Sequence, residues 1–203
     1  MEVREILVDE KERYYLAIGG IVFGRELSDC DVDYVLNVLR ECESKFKDAV
    51  PVLVDANYVV SVNQLVVATV QAVRAWLRGK ARAKKFGIEL LLWIGARKQI
   101  RDVVDVLGVH RGLLRAYLLC VSRSLEICKL ACEAVLRKLS AVVELNIVEP
   151  SRVLSEVLSN GGSIELLRKW FNVGDRELAA TLGSEIEKLE KCILSRIALL
   201  ASE

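Results

Sequence analysis

The residues of this chain that could carry out acid–base chemistry are few. His110 is the only histidine in 203 residues, and it follows Gly108, a residue typical of a helix end. Asp55 follows an apolar run, as a catalytic carboxylate at a strand end would, although an aspartate there more often forms a turn hydrogen bond. An enzyme that used both would need a fold that brings them together and a nucleophile beside them. Nothing in their spacing demands this, so the sequence argues against an enzyme.

Cofactor and metal sites are also not supported by the sequence. The phosphate-binding motifs G-x-G-x-x-G and G-x-x-x-x-G-K-[ST] do not occur, so we expect no nucleotide cofactor. The six cysteines include no C-x-x-C pair, and no cluster of histidines accompanies them, which argues against zinc. Cys128 and Cys132 lie four residues apart on a predicted helix, and we expect buried free thiols. Disulfides, which intracellular proteins of hyperthermophiles form, are the alternative.

Positive charge is concentrated locally, although the chain as a whole is nearly neutral. Its 29 Lys and Arg residues exceed its 28 Asp and Glu residues by one, so global charge gives no case for nucleic-acid binding. Six cations nevertheless fall within the segment 74–85: Arg74, Arg78, Lys80, Arg82, Lys84 and Lys85. A second polar group follows the apolar run 88–94: Arg97, Lys98, Gln99 and Arg101. Such clusters either bind phosphates or form an ordinary solvated surface with ion pairs.

Hydrophobic periodicity predicts the elements that must position these residues. Strands are predicted at 2–8, 13–23, 50–56, 88–94 and 115–121, and the segment 145–149 is ambiguous. Helices are predicted at 31–46, 62–77, 98–107, 124–143 and 184–200, with shorter ones at 151–158, 163–171 and 175–182. We therefore expect a single α/β domain over 1–203, with a mixed four- to five-stranded sheet covered by helices and an extended helical region at about 122–203.

Two of these helices carry further signals. Ser61 and Gln64 have the spacing of a capping box at the start of helix 62–77, and Gly79 suits its C-terminal cap. Trp76 and Trp93 are both expected to point into the core. The last helix carries an apolar stripe that packs either on its own core or on a partner: Ile186, Leu189, Ile193, Ile197 and Leu200.

The N-terminal segment is charged, with no apolar run preceded by cations, so we expect no signal peptide. No apolar run reaches the roughly 18 residues that a membrane span requires. We therefore expect a cytoplasmic protein with no membrane partner.

Three stretches of the sequence resemble the small kinase-binding subunit of the KEOPS complex, the PRPK-binding protein family. They are VDANYVVSVNQLVVATVQAVRAWLRGKARAK (54–84), ELLLWIGARKQIRDVVDVLGV (89–109) and LEKCILSRIALL (189–200). In the second stretch, a glutamate, a leucine-rich run and a glycine precede Lys98-Gln99-Ile100 and a closing Gly108-Val109. The resemblance is strong over 50–110 and 185–200, and residues 111–183 match poorly. Many relatives have Glu-His in place of Asn63-Gln64, Arg in place of Lys98 and Glu in place of Ser195.

The resemblance implies an archaeal, non-catalytic subunit that binds and regulates the atypical Ser/Thr kinase/ATPase of KEOPS and meets the other subunits indirectly. It also implies that the chain supports N6-threonylcarbamoyladenosine formation at tRNA position 37 and binds the tRNA 3′ CCA end. The tRNA-binding residues would be Asn63, Gln64, Arg74, Arg78, Lys80, Arg82, Lys84, Arg97, Lys98, Gln99 and Arg101. The kinase interface would be formed by Leu189, Ile193, Ile197 and Leu200.

An alternative function remains open within the same family. The chain would then be a protein-interaction subunit only, which activates the kinase without direct RNA contact. The near-zero net charge favours this alternative, and so does the presence of Asn63-Gln64 in place of the family's pair.

Overall fold

The computed structural model of the chain describes residues 1–9, 12–159 and 161–202. Within these residues, five strands form one sheet: β1 (Glu2–Val8), β2 (Glu12–Phe23), β3 (Ala49–Asp55), β4 (Arg115–Ser122) and β5 (Leu145–Val148). The order across the sheet is β1-β2-β4-β3, and β5 pairs with the second half of β2, on the edge that β1 occupies along the first half.

Nine α-helices are found in the described part of the chain. They are α1 (Asp29–Lys45), α2 (Val62–Leu77), α3 (Phe86–Ile94), α4 (Ile100–Leu107), α5 (Leu125–Ser140), α6 (Pro150–Leu158), α7 (Gly161–Phe171), α8 (Asp175–Ala180) and α9 (Glu185–Ser202). A short 3-10 helix, Ala56–Tyr58, follows β3.

Helices cover both faces of the sheet. Along β2, Leu16 and Ile18 belong to a core formed with α2, α3, α4, α6, α7 and α9, whereas Ala17 and Ile21 belong to a core formed with α1 and α5. This division follows from the alternation of side chains along a strand. Because both faces are buried, the central strands have nearly continuous apolar sequences.

The predicted fold class and number of strands are confirmed, but the sheet is not mixed, since all four strand pairs are antiparallel. Continuous apolar strands are typical of parallel sheets, because those sheets are usually covered on both faces. Here an antiparallel sheet is covered on both faces, so the same composition arises without parallel pairing. The ambiguous segment 145–149 contains β5.

The predicted strand at 88–94 is wrong, because these residues lie in α3. Residues 89–94 are all buried, and a helix that is apolar all round shows no amphipathic period. A short apolar run of this kind cannot be assigned by periodicity alone. One helical signal was present in the sequence: Glu89 and Trp93 are four residues apart, and the Trp93 indole N–H donates to Glu89 Oε1 at 2.8 Å.

Two further features of the fold concern the state of the cysteines and the apolar content of the helices. All six cysteines are free thiols, as predicted; five are buried, and Cys30 is exposed. None of the helices found in the described residues is long and apolar enough to cross a membrane.

Candidate nucleic-acid interface

The segment between α2 and α3, residues 78–85, is held in place by a buried carboxyl group. Glu89, in α3, is fully buried, and its Oε2 accepts hydrogen bonds from the backbone N–H groups of Arg82 at 2.7 Å and Ala83 at 2.9 Å. Together with the bond from Trp93, this uses both carboxyl oxygens. A loop rich in cations is thereby fixed to the core through its backbone, which leaves its side chains free to face outward.

The two helices that border this region end in the same way. In both cases the residue after the C-cap has a positive φ, and two backbone bonds close a Schellman motif. At the end of α2 the residue is Gly79, with φ +64°, and Lys80 N–H donates to Ala75 O at 2.9 Å. At the end of α3 it is Ala96, with φ +48°, and Arg97 N–H donates to Leu92 O at 3.0 Å. The predicted role of Gly79 is confirmed.

A cavity of about 580 Å³ lies at the C-terminal end of α2, and we call it the basic cavity. Its walls come from the end of α2, the segment after it, α3 and the end of α9: Gln71, Arg74, Arg78, Lys80, Arg82, Trp93 and Leu200. The structure thus brings together four of the cations predicted from the sequence. Trp93 is buried, as predicted, and the Arg82 guanidinium lies 5.3 Å from its ring centroid.

The three arginines of the basic cavity already have partners within the protein. Arg74 Nε lies 2.9 Å from Asp9 Oδ1, and Arg78 Nη2 lies 2.8 Å from Asp9 Oδ2. The hydrogen bond from Arg78, with that from Arg74, lowers the pKa of Asp9 below its ordinary value. Arg82 donates from Nη2 to Leu200 O at 2.9 Å, at the end of α9. The guanidinium groups are therefore oriented before any ligand arrives, and Asp9 offsets part of their charge.

Of the remaining predicted tRNA-binding residues, all except Lys84 lie at the other end of α2. Gln64 Nε2 donates to Ile94 O at 3.0 Å, so the start of α2 packs against the end of α3. Asn63, Lys98, Gln99 and Arg101 are exposed at this end. Asn63 and Arg74 are eleven residues apart on α2, or about 16 Å along the helix axis. Apart from Lys84, the structure therefore divides the predicted site into two groups.

Two residues of this second group do not fit a direct contact with tRNA. Gln64 is fully buried, and its Oε1 accepts from Val60 N–H at 2.8 Å, so the prediction that it binds RNA is wrong. Arg97 is half-buried; its guanidinium lies 4.7 Å from the Trp170 ring centroid and donates to Trp170 O. It fixes α7 to the end of α3. Arg101 is exposed, and its Nε lies 3.6 Å from Asp105 Oδ2.

A second cavity, of about 380 Å³, lies on the opposite side of the last turn of α2, and we call it the Trp76 cavity. Trp76 was expected in the core, but it is 41% exposed. Lys84, a predicted tRNA-binding residue, lines this cavity rather than the basic cavity. Three further residues join this cavity from distant segments, and no local signal in the sequence marks them: Tyr14, Lys47 and Arg123.

The apolar stripe of α9 faces the protein core. Leu189 is 1% exposed, Ile193 and Ile197 are 0% exposed, and Leu200 is 5% exposed. All four side chains pack with α2 and α3 on one face of the sheet. They are not available to a partner, so the prediction that they form the kinase interface is wrong. The packing of one face of α9 on the protein core explains the apolar stripe without a binding partner.

The structure does bring Asp55 and His110 together. His110 Nε2 lies 3.0 Å from Asp55 Oδ2, and Nδ1 lies 2.8 Å from Arg111 O. The hydrogen bond with Asp55 raises the pKa of His110, and both ring nitrogens face oxygen acceptors. The protonated imidazole donates through both nitrogens, whereas in the neutral form one nitrogen keeps a lone pair. No group of three or more His, Cys, Asp and Glu side chains in the described residues could hold a metal ion.

The comparison with protein families agrees with the resemblance seen in the sequence. Residues 34–201 match the family model of the kinase binding protein CGI-121. The match includes α2, α3 and α9, and therefore the walls of the basic cavity. A search of curated proteins gives no match. Since the family model covers most of the chain, the protein belongs to the family of the kinase binding protein CGI-121, the small KEOPS subunit that binds the PRPK-type kinase.

Proposed function

We propose that this chain is the non-catalytic, kinase-binding subunit of a KEOPS complex and that it also binds tRNA. Its partners are then the atypical kinase/ATPase, tRNA and, indirectly, the other subunits, and it supports threonylcarbamoyladenosine formation at position 37. The observation that carries the tRNA proposal is the basic cavity, where Arg74, Arg78, Lys80 and Arg82 surround one concave site. Family membership supports both kinase binding and a non-catalytic role.

The geometry of the basic cavity suits the end of an RNA strand. Lys and Arg side chains bind phosphates, and they dominate the affinity of proteins for nucleic acids. A single-stranded end can enter a cavity, and its unstacked bases present hydrogen-bonding edges. Gln71 supplies an amide at the wall, 3.3 Å from Arg74 Nη1. The unpaired 3′ CCA end of tRNA therefore fits this site better than the duplex stem.

The group at the other end of α2 would contact a different part of the same RNA. Lys98, Gln99, Arg101 and Asn63 are exposed there. Asn63 lies about 16 Å from Arg74 along the axis of α2. We assign the strand end to the basic cavity and the backbone of the stem to this second group. The ion pairs of Arg74 and Arg78 with Asp9 favour the alternative, a subunit that binds the kinase without RNA.

The test is a binding titration of the full chain with labelled tRNA, intact and with the 3′ CCA removed, over a range of salt concentrations. We expect removal of the CCA end to weaken binding strongly, and we expect the affinity of intact tRNA to fall linearly with salt on logarithmic axes. Lys129→Glu, an exposed charge reversal on α5, serves as the control for non-specific loss of charge. If neither tRNA binds at moderate salt, the RNA proposal fails and the alternative holds.

A further inference from the structure

The Trp76 cavity combines an exposed aromatic side chain with several cations. It lies between the end of α2, the start of α3, the start of β3 and the end of β4, and its volume is about 380 Å³. This volume falls within the range of small-molecule sites, roughly 300–1,000 Å³. Its polar walls come from four separate parts of the chain: Tyr14, Glu43, Lys47, Lys84, Lys85 and Arg123.

The aromatic wall is incompletely packed. Trp76 meets Phe86 edge to face, with ring centroids 5.6 Å apart and planes at 89°. No other aromatic ring among the described residues contacts it. The indole nevertheless remains 41% exposed. A tryptophan buries a large apolar area when it is covered, and stacking on a second ring adds further stabilisation. A planar ligand placed on the indole would gain both.

The cations of this cavity differ from those of the basic cavity. Lys47, Lys84 and Lys85 form no ion pair with any residue in the part of the chain that the structure describes. Arg74 and Arg78, by contrast, share Asp9. Lysine charge that no ion pair among the described residues neutralises is therefore located beside Trp76.

The other charged groups of the cavity limit which ligand fits. Arg123 Nη2 lies 2.8 Å from Glu12 Oε2, and the guanidinium lies 5.2 Å from the Tyr14 ring centroid. These contacts hold the Arg123 side chain in place. Glu43 and Asp48 also line the cavity, and they repel a ligand that is anionic throughout. A ligand with an anionic end and a neutral planar end that donates hydrogen bonds satisfies both sets of groups.

We propose that the Trp76 cavity binds one nucleotide unit of single-stranded RNA. The base stacks on Trp76, the phosphate faces Lys84, Lys85 and Lys47, and exocyclic amines of the base face Glu43 and Asp48. Stacking platforms combined with basic grooves are the general means by which proteins hold single strands. The identification of the source as an RNA strand rests on the proposed function, because residues 78–85 form a wall of both cavities and would carry the strand from one to the other.

The experiment titrates the full chain with intact tRNA, with the tetranucleotide ACCA and with AMP, and follows tryptophan fluorescence alongside direct binding. The variants are Trp76→Ala, Trp76→Phe, and Lys84→Glu combined with Lys85→Glu; Lys129→Glu is the matched charge control. We expect Trp76→Ala to lower the affinity for ACCA and tRNA roughly 5- to 150-fold, the range for loss of one stacked base. Trp76→Phe retains a ring and should lose less.

The outcomes separate this inference from the proposed function. If tRNA binds the wild-type chain and Arg78→Glu weakens it, but the Trp76 and Lys84/Lys85 variants bind normally, the inference is overturned and the proposed function stands. If Trp76→Ala unfolds, the test rests on the Lys84→Glu, Lys85→Glu double variant, whose substituted residues are exposed. Normal binding of ACCA and tRNA by this double variant then overturns the inference. AMP that binds as tightly as ACCA would overturn the assignment to a strand and identify a site for free nucleotides. If tRNA does not bind at all, the proposed function fails, and the inference fails with it.

Discussion

Glu89 Oε2 lies 2.7 Å from the backbone nitrogen of Arg82, so a fully buried carboxyl group in α3 holds the backbone of the segment that carries the cations. The same oxygen accepts from Ala83 N–H at 2.9 Å. This contact with the core therefore fixes the backbone of residues 78–85. The outward-facing side chains of the segment can still make other contacts.

Glu89→Gln should loosen this segment. The amide has only one acceptor oxygen, so at least one of the three buried N–H donors loses its partner, at a cost of roughly 1–3 kcal/mol in unfolding free energy. Urea unfolding measures this cost, and trypsin cleavage after Arg82 or Lys84 reports the loosening of the loop. Glu165→Gln, at an exposed position on α7, is the control and should stay within about 0.5 kcal/mol of wild type. Equal cleavage rates in both variants would show that Glu89 does not hold the loop.

Ala96→Gly and Gly79→Ala should have opposite effects on stability. Both residues occupy the left-handed position of a Schellman motif, where a side chain costs about 1–2 kcal/mol. Since glycine also loses more backbone freedom on folding, we expect Ala96→Gly to gain roughly 0.5–1 kcal/mol and Gly79→Ala to lose about as much. A Cβ at Gly79 would meet no atom within 4 Å, so crowding does not confuse the comparison. Denaturant unfolding of the two variants measures both changes in stability. A loss of stability in Ala96→Gly would contradict the assignment of a Schellman motif to the end of α3.

The His110–Asp55 pair should make stability depend on pH. The hydrogen bond with Asp55 raises the pKa of His110 in the folded state above its ordinary value of 6.5. The pair's contribution is therefore fully present below about pH 6.5 and is lost as the pH rises through the folded-state pKa. We expect the stability difference between wild type and His110→Gln to shrink from pH 6 to pH 9. Because the chain has one histidine, its NMR titration is unambiguous, and Asp55→Asn should lower that pKa. A pKa at or below 6.5 in the wild type would contradict the contact.

Substitutions on the two faces of α9 should separate folding from partner binding. Ile193 is fully buried, so Ile193→Glu places an uncompensated polar group in the core and should cost more than about 3 kcal/mol. Ile186 is 39% exposed, and Ile186→Glu should leave the fold intact. Thermal unfolding distinguishes them, and a kinase pull-down with the Ile186 variant then tests that exposed surface. A stable Ile193→Glu protein would mean that the stripe is not core.

Asp9→Asn should strengthen tRNA binding. The substitution removes the charge that offsets Arg74 and Arg78, which then become available to phosphates. We expect higher affinity at low salt and a salt dependence steeper by roughly one to two units of slope. Glu5→Gln, which breaks the ion pair between Glu5 on β1 and Arg13 on β2, is the matched control and should change neither quantity. Unchanged binding in Asp9→Asn would remove the two arginines from the RNA site.

Local signals in the sequence were sufficient for most of the elements. The spacing of Ser61 and Gln64 predicted the start of α2, and Ser61 Oγ accepts from Gln64 N–H at 3.0 Å. The box is not fully reciprocal, however, because the Gln64 side chain bonds to Val60 N–H instead of Ser61 N–H. Its further bond to Ile94 O depends on a helix 30 residues away and has no local signal.

The candidate site was harder to predict, because it depends on contacts between distant segments. The cations of 74–85 were found from their spacing, but the contact of Arg97 with Trp170 spans 73 residues and left no trace in the sequence. An apolar stripe has the same composition whether it packs on its own core or on a partner, so α9 could not be assigned from its pattern. Tyr14, Lys47 and Arg123 meet beside Trp76 only because the sheet places them there.

The most direct test of the central claim is a comparison of tRNA binding by wild type and by the double variant Arg78→Glu with Lys80→Glu, over a salt titration. Both residues are exposed and line the basic cavity. We predict at least a tenfold loss of affinity and a flatter dependence on salt, with Lys129→Glu unchanged. Identical affinity and slope for the double variant and the wild type would show that the basic cavity does not bind tRNA.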